Sequence, residues 1–203
     1  NKIFQFSSLG EDPQDLKYRG EKTFLQIGDR NVIREFCTFN RGTVQDKTFT
    51  RVGDDNLFMA YVHIAHDCQV GNQVVFANNA GLAGHVIVED CVIFGAFSGV
   101  LQFCRVGKYS FVSMGALVGK DVPPFVEVAG TGAEPAGLNT VGLQRRGFSA
   151  QAMLNLRRAY KVIYRKGLTT PQALVDLQGM VAECSEIQLL IDFIKASERG
   201  IAR

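Results

Sequence analysis

Twelve large apolar residues recur at a strict spacing of six through the middle of the chain: Val52, Phe58, Ile64, Val70, Phe76, Leu82, Val88, Phe94, Val100, Val106, Val112 and Val118. The next residue is often Gly or Ala, as at Gly53, Ala65, Gly71, Ala77, Ala83, Gly95, Gly107 and Gly119. Four places after each apolar site stand small or β-branched residues such as Val62, Cys68, Val74, Ala80, Val86, Ser98, Ser110 and Ala116. A helix needs apolar residues about 3.6 apart and a half-buried strand needs them two apart, so a period of six fits neither. It fits short strands joined by tight corners, with one side chain per hexad pointing into a prism: a parallel β-helix. The ladder extends upstream through Ile27, Ile33 and Phe39, and faintly to Ile3 and Leu9, which assigns residues 1–126 to the solenoid.

Two segments break the ladder. Glu11–Thr23 is polar with no inward row, and Gly42–Thr50 shifts the phase by one residue. Solenoids throw such insertions out from a corner, where they often build binding sites; for Gly42–Thr50 the expectation is a solvated loop with no role. The chain opens inside a repeat, and a bare solenoid end exposes strand edges, so further N-terminal coils are expected in the whole protein. After Pro123-Pro124 the ladder stops, and residues 127–203 read as a connector and a small helical domain from about residue 149. Ser149 suits the N-cap of a helix from Ala150 to about Arg165, ending before Gly167. Thr170-Pro171 reads as the N-cap and first residue of a helix to about Glu183, and a third runs from about Glu186 to Ser197. Leu154, Leu156, Ala159, Val162 and Ile163, with Ile187, Leu190 and Ile194, form apolar faces expected to pack on each other and on a neighbouring solenoid.

A formal net charge of +2 gives no reason to expect nucleic-acid binding. No run is apolar enough to span a bilayer, and Asn1–Ser8 lacks signal-peptide architecture, so a cytoplasmic protein is expected. The five cysteines form no CxxC pair. Cys37, Cys68 and Cys104 share the small-residue slot of the hexad, which reads as packing in a reducing compartment rather than catalysis or metal binding.

All three histidines, His63, His66 and His85, fall in the regular ladder, and none takes the inward position. If three hexads make one coil, residues eighteen apart stack at roughly the strand spacing of ~4.8 Å. His66, Gly84 and Gln102 then form one column, and Asp67, His85 and Phe103 the next. A histidine beside an aspartate, under a glycine backbone, supplies a general base, an orienting carboxylate and an unobstructed N–H donor.

The stretches QDLKYRGE (14–21), HIAHDCQVGN (63–72), ANNAGLAGH (77–85), QFCRVG (102–107), DVPPF (121–125) and GLQRRGFS (142–149) closely resemble the acyl-[acyl-carrier-protein]–UDP-N-acetylglucosamine O-acyltransferases, which catalyse the first step of lipid A synthesis. The resemblance spans essentially the whole chain. It implies a left-handed β-helix, against the usual right-handed crossover, and a homotrimer with active sites between neighbouring prisms. It implies no cofactor and no metal. By motif, His66 takes the proton from the glucosamine 3-hydroxyl, Asp67 orients it, and the Gly84 N–H stabilises the oxyanion as a 3-hydroxyacyl chain leaves acyl carrier protein. Asp15, Lys17, His63 and His85 match positions that contact the sugar nucleotide; Gln102, Asn139 and Arg145 match positions near the uridine diphosphate, and Arg145-Arg146 offers a fork for phosphate.

The departures are specific. Leu101, Asn40 and Gly132 stand where some relatives have histidines, so nucleotide contacts are expected to differ while the chemistry is kept. Two other readings remain open from sequence alone: a related transferase acylating a 3-amino sugar nucleotide, and a zinc site built by histidines. Met114 falls where a glycine in relatives admits the end of a long acyl chain, and a thioether there should fill the groove. Competition between acyl donors is therefore expected to favour about C10 over about C14 in the native chain and to shift toward the longer donor in Met114→Gly. An unchanged preference would sink the ruler.

Overall fold

The computed structural model describes residues 1–203. The ladder forms a left-handed parallel β-helix of two-residue strands stacked into three sheets, with a small helical domain at its C-terminal end. Leu57, Val75, Ile93 and Phe111 stand opposite one another, as do His63, Gly81, Gly99 and Leu117, and Gln69, Ile87 and Arg105. Each step is eighteen residues, so three hexads make one coil. Backbone bonds run between coils, as from Leu57 N to Val74 O and from Val75 N to Val92 O.

The corners explain how short strands turn. Every sixth residue from Asp55 to Tyr109 has φ between 55° and 66°, including Asp67, Asn79, His85 and Phe103. Positive φ penalises β-branched side chains most, and none of these ten positions carries Val, Ile or Thr.

Two side chains per hexad face the core, not one as expected from the strict ladder. Besides Phe58, Ile64 or Phe76, the small-residue slot is buried throughout, from Val62 and Cys68 to Cys104 and Ala116. The large residue fills the prism along a strand, and the small one closes the corner beside it. Along one sheet the large residues form an aromatic stack, with ring centroids 5.1 Å apart for Phe58–Phe76 and 4.4 Å for Phe76–Phe94. All five cysteines are free and buried, and burial raises the thiol pKa of each, to about 12 at Cys68 and about 11 at Cys184. They pack; none is poised as a nucleophile.

The two breaks are outward loops. Lys2 faces Val32 and Val32 faces Leu57, so the first two coils take thirty and twenty-five residues. The first loop is pinned by Arg41, whose guanidinium donates to Gly10 O at 2.9 Å and to Tyr18 Oη at 2.8 Å and pairs with Asp12. Asn40 adds a bond to Asp12 O at 2.7 Å.

Sheet bonding continues past residue 126: Val126–Ala129 adds a parallel strand to Phe111–Val112 and pairs antiparallel with Glu134–Leu138. A short helix not anticipated from sequence, α1 (Thr140–Arg145), follows, and Asn139 caps it by accepting from Gly142 N at 3.0 Å. Three longer helices complete the domain: α2 (Ala150–Tyr164), α3 (Thr170–Met180) and α4 (Ile187–Lys195). Ser149 caps α2 as expected. The cap of α3 is Thr169 rather than Thr170, because Gln172 reaches back to the Thr169 N–H at 3.0 Å and completes a capping box. Leu154, expected on the buried face of α2, is exposed; Met153 and Tyr160 are buried instead. The helices pack on one another and on the last coil of their own chain through Phe125, Leu143, Leu156 and Ile191. Asp121 ties down the tail, accepting from Arg105 N at 2.8 Å and Ser197 Oγ at 2.6 Å.

The aromatic stack sets a stability test. Phe76 is fully buried between two rings, and Phe76→Ala should cost roughly 3–5 kcal/mol through lost burial and a residual cavity. Denaturant unfolding should show a lower midpoint; a midpoint equal to the native one would mean the stack adds nothing.

Candidate active site

His66 and Asp67 sit at one corner of the coil, where the αL conformation of Asp67 (φ 60°) turns the chain after Ile64. The Asp67 carboxylate is fully buried. It accepts from His66 Nδ1 at 2.9 Å, from Thr43 Oγ1 at 2.6 Å and from Thr43 N at 3.0 Å, while the Asp67 N–H donates to Thr50 Oγ1 at 2.8 Å. Burial alone would raise this carboxyl's pKa, but the bonds from His66 and Thr43 outweigh it and hold it below its ordinary value. An ionised Asp67 only accepts, so it keeps the neutral His66 proton on Nδ1 and leaves Nε2 with its lone pair.

The column arithmetic holds in three dimensions. Gly84 lies directly over the His66 ring: a Cβ there would come within 2.6 Å of Cε1 and 2.7 Å of Nε2. Only glycine lets this coil pass the base. The Gly84 N–H makes no hydrogen bond within the chain. His85 meets the His66 ring edge-on at 5.0 Å and stacks on Phe103 at 4.5 Å. His63, one strand away, bonds through Nδ1 to Thr38 Oγ1 at 2.7 Å; burial is the main cause that lowers its pKa and favours the neutral ring.

The segment Gly42–Thr50 is not the idle loop expected from sequence. It supplies Thr43 and Thr50 to Asp67, and Asp46 to His85 Nδ1 at 2.8 Å. Its signal was faint, since two threonines and an aspartate are ordinary loop residues. Gly42 was the better clue: a Cβ there would come within 2.3 Å of Phe49 N, so the loop folds tightly on its own base.

A cleft of about 640 Å³ opens beside this corner. Asp15 and Lys17 reach it from the first loop, Thr43, Asp46 and Lys47 from the second, His85 and Phe103 from the coils, and Glu198 and Arg199 from the tail. The structure thus brings together Asp15, Lys17 and His85, with His66, Asp67 and Gly84 just behind His85. His63, Gln102, Asn139, Arg145, Arg146 and Met114 do not line this cleft. Gln102, Arg145 and Met114 are exposed, and neither Gln102 nor Arg145 has a side-chain partner in the chain. The fork expected from Arg145-Arg146 is divided. Arg146 is committed to Gln73, donating to its Oε1 at 2.8 Å and its carbonyl at 3.2 Å, and Asn139 spends its amide on the α1 cap and on Tyr109 O at 3.0 Å.

As for metal, His66, Asp67 and His85 are the group of donors close enough to hold an ion, with ligand atoms within 4.8 Å of one another. Both Nδ1 atoms are already bonded to carboxylates and Asp67 is filled by Thr43, so the donor set fits hydrogen bonding better than coordination. No helix is long and apolar enough to cross a membrane.

The lowered Asp67 pKa makes a pH prediction. A carboxyl held below its unfolded value (~3.9) contributes stability that is full above that value and is lost as pH falls through the folded one. The native chain should therefore lose thermal stability more steeply below about pH 4 than Asp67→Asn. Parallel acid limbs for the two proteins would refute the ionised, bonded carboxylate.

Known proteins resemble the chain in both sequence and fold. Residues 121–202 match the family model described as Udp N-acetylglucosamine O-acyltransferase, Domain 2, and residues 49–84 match that of the bacterial transferase hexapeptide (six repeats). The acyl-[acyl-carrier-protein]–UDP-N-acetylglucosamine O-acyltransferase of Thiobacillus denitrificans is 58% identical over 203 residues, covering 100% of this chain and 79% of that protein. Among solved structures, the UDP-N-acetylglucosamine O-acyltransferase of Moraxella catarrhalis superposes with a TM-score of 0.97 at 50% identity, over 100% of this chain and 79% of that one. The Arabidopsis UDP-N-acetylglucosamine acyltransferase gives 0.93 at 39% identity, over 99% and 73%. Alike over its whole length to about four-fifths of these enzymes, at up to 58% identity, the chain belongs to the acyl-[acyl-carrier-protein]–UDP-N-acetylglucosamine O-acyltransferase family.

Proposed function

We propose that this enzyme transfers a 3-hydroxyacyl chain from acyl carrier protein to the 3-hydroxyl of UDP-N-acetylglucosamine, opening lipid A synthesis, with His66 as general base. The observation that carries the reading is the His66–Asp67 hydrogen bond of 2.9 Å beneath Gly84. As the hydroxyl oxygen bonds to the thioester carbon, its proton passes to His66 Nε2. The Gly84 N–H, free of any partner in the chain, serves the oxyanion. The oxyanion then collapses to the carbonyl, the carbon–sulfur bond breaks, and the imidazolium gives its proton to the departing thiolate.

Asp15, Lys17, His63 and His85 hold the sugar nucleotide. Arg145, exposed and unpaired, takes phosphate, with Gln102 beside the uridine diphosphate; Asn139 and Arg146 serve that end by fixing α1, one as its cap and the other as its tie to Gln73. Met114, 73% exposed, meets the far end of the acyl chain. Since Gln102 and Arg145 lie apart from the cleft that Asp15, Lys17 and His85 line, the enzyme works as a homotrimer whose neighbours complete each site. Five free cysteines fit a cytoplasmic compartment.

Turnover assays with UDP-N-acetylglucosamine, its 3-amino counterpart and 3-hydroxyacyl carrier proteins test the reading together. The hydroxyl acceptor should be preferred, and His66→Ala should lose at least ~10²-fold in kcat. Native turnover from that variant, or transfer to the amine alone, would replace this proposal.

A further inference from the structure

His85 has a carboxylate of its own. Its Nδ1 lies 2.8 Å from Asp46 Oδ2 and 4.0 Å from Asp67 Oδ2. Asp46 is held in turn: Lys47 Nζ sits 2.8 Å from the same oxygen, and Thr43 and Thr50, on either side of it in the chain, bond to Asp67. Burial works against the Asp46 charge, but Lys47 and His85 outweigh it and keep its pKa below the ordinary value. The carboxylate therefore only accepts, and the proton of the neutral His85 ring stays on Nδ1. Phe103, stacked at 4.5 Å and 12°, fixes the ring plane. His85 lines the cleft, and Nε2 is its one uncommitted nitrogen.

We propose that Asp46 is a positioning residue for the acceptor: it locks His85 in the Nδ1–H tautomer, so that Nε2 accepts a hydrogen bond from a hydroxyl or amide N–H of the sugar nucleotide. This rests on the acceptor reading given above. The site then holds two histidine–carboxylate pairs with separate tasks. Asp67–His66 removes a proton, and Asp46–His85 offers a lone pair of fixed direction. A His85 free to flip would present an N–H to the same substrate group and lose the bond. Asp46, Asp67 and His66 face the His85 ring directly, and Lys47 reaches it through Asp46.

With three histidines in the chain, ¹⁵N spectra of the labelled, full-length protein read each ring directly. Native His85 should carry its proton on Nδ1 with Nε2 bare, and Asp46→Ala should populate both tautomers. In the same variant the KM for UDP-N-acetylglucosamine should rise about tenfold with kcat within about twofold, because a ground-state contact is lost. In a His85→Ala background, Asp46→Ala should add less than about twofold. A native His85 protonated on Nε2, a tautomer unmoved by Asp46→Ala, or a KM effect that survives without His85 would each overturn the proposal. If the native enzyme fails to acylate this nucleotide, the acceptor reading falls instead, and the ring spectra still decide whether Asp46 governs His85.

Discussion

The hydrogen bond from one coil to the next, repeated every eighteen residues, is the constraint on which everything else hangs. Each short strand satisfies its backbone on the coils above and below, as Val75 N does on Val92 O and Ile93 N on Ser110 O. Because that period is fixed, any slot in the hexad becomes a column. Inside the prism the columns are Phe58, Phe76 and Phe94. Outside, the same rule sets Gly84 over His66 and Phe103 over His85. Core and active site are two faces of one lattice.

Chemistry enters where the lattice is interrupted. A fully buried carboxylate is costly unless its lone pairs are filled, and at Asp67 the filling comes from an inserted loop: Thr43 on the side chain, Thr50 on the backbone. The loop carrying those threonines also brings Asp46 against His85. The other loop, tied down by Arg41 and Asn40, carries Asp15 and Lys17 to the cleft. Regular coils give rigidity and spacing, and the insertions give donors and charges that a repeating hexad has no slot to hold.

The fold was legible because its rule is local and repeats: spacing located the strands, and taking three hexads to a coil stacked His66 with Gly84, as the eighteen-residue register bears out. Reading one inward residue per hexad undercounted the core, since Cys68, Val74 and Ala80 look like corner spacers until the prism is seen to close over them. The positive-φ corners were hidden because they are filled by Asp, Asn, His and Phe rather than glycine. Tertiary hydrogen bonds were illegible for a different reason. Thr43–Asp67, Asp46–His85 and Gln73–Arg146 join residues 24, 39 and 73 positions apart, and no periodicity links them. The same holds for α1, whose six residues are too few to show an amphipathic pattern and depend on the Asn139 cap.

Asp121 has a meaning beyond its local contacts. A solenoid is nearly one-dimensional, and each coil is steadied only by its neighbours, so its ends are where fraying starts. Asp121 follows the last regular strand, and there it binds Arg105 N, Ser197 Oγ and, through its carbonyl, Ala202 N. The chain's final residues are thereby folded back onto the coil that precedes the helical domain. That return sets a boundary condition: the terminal coil cannot peel away unless the helices let go as well. Opening at this end becomes one cooperative event, and the corner holding His66 stays in register because the far end of the spring is clamped.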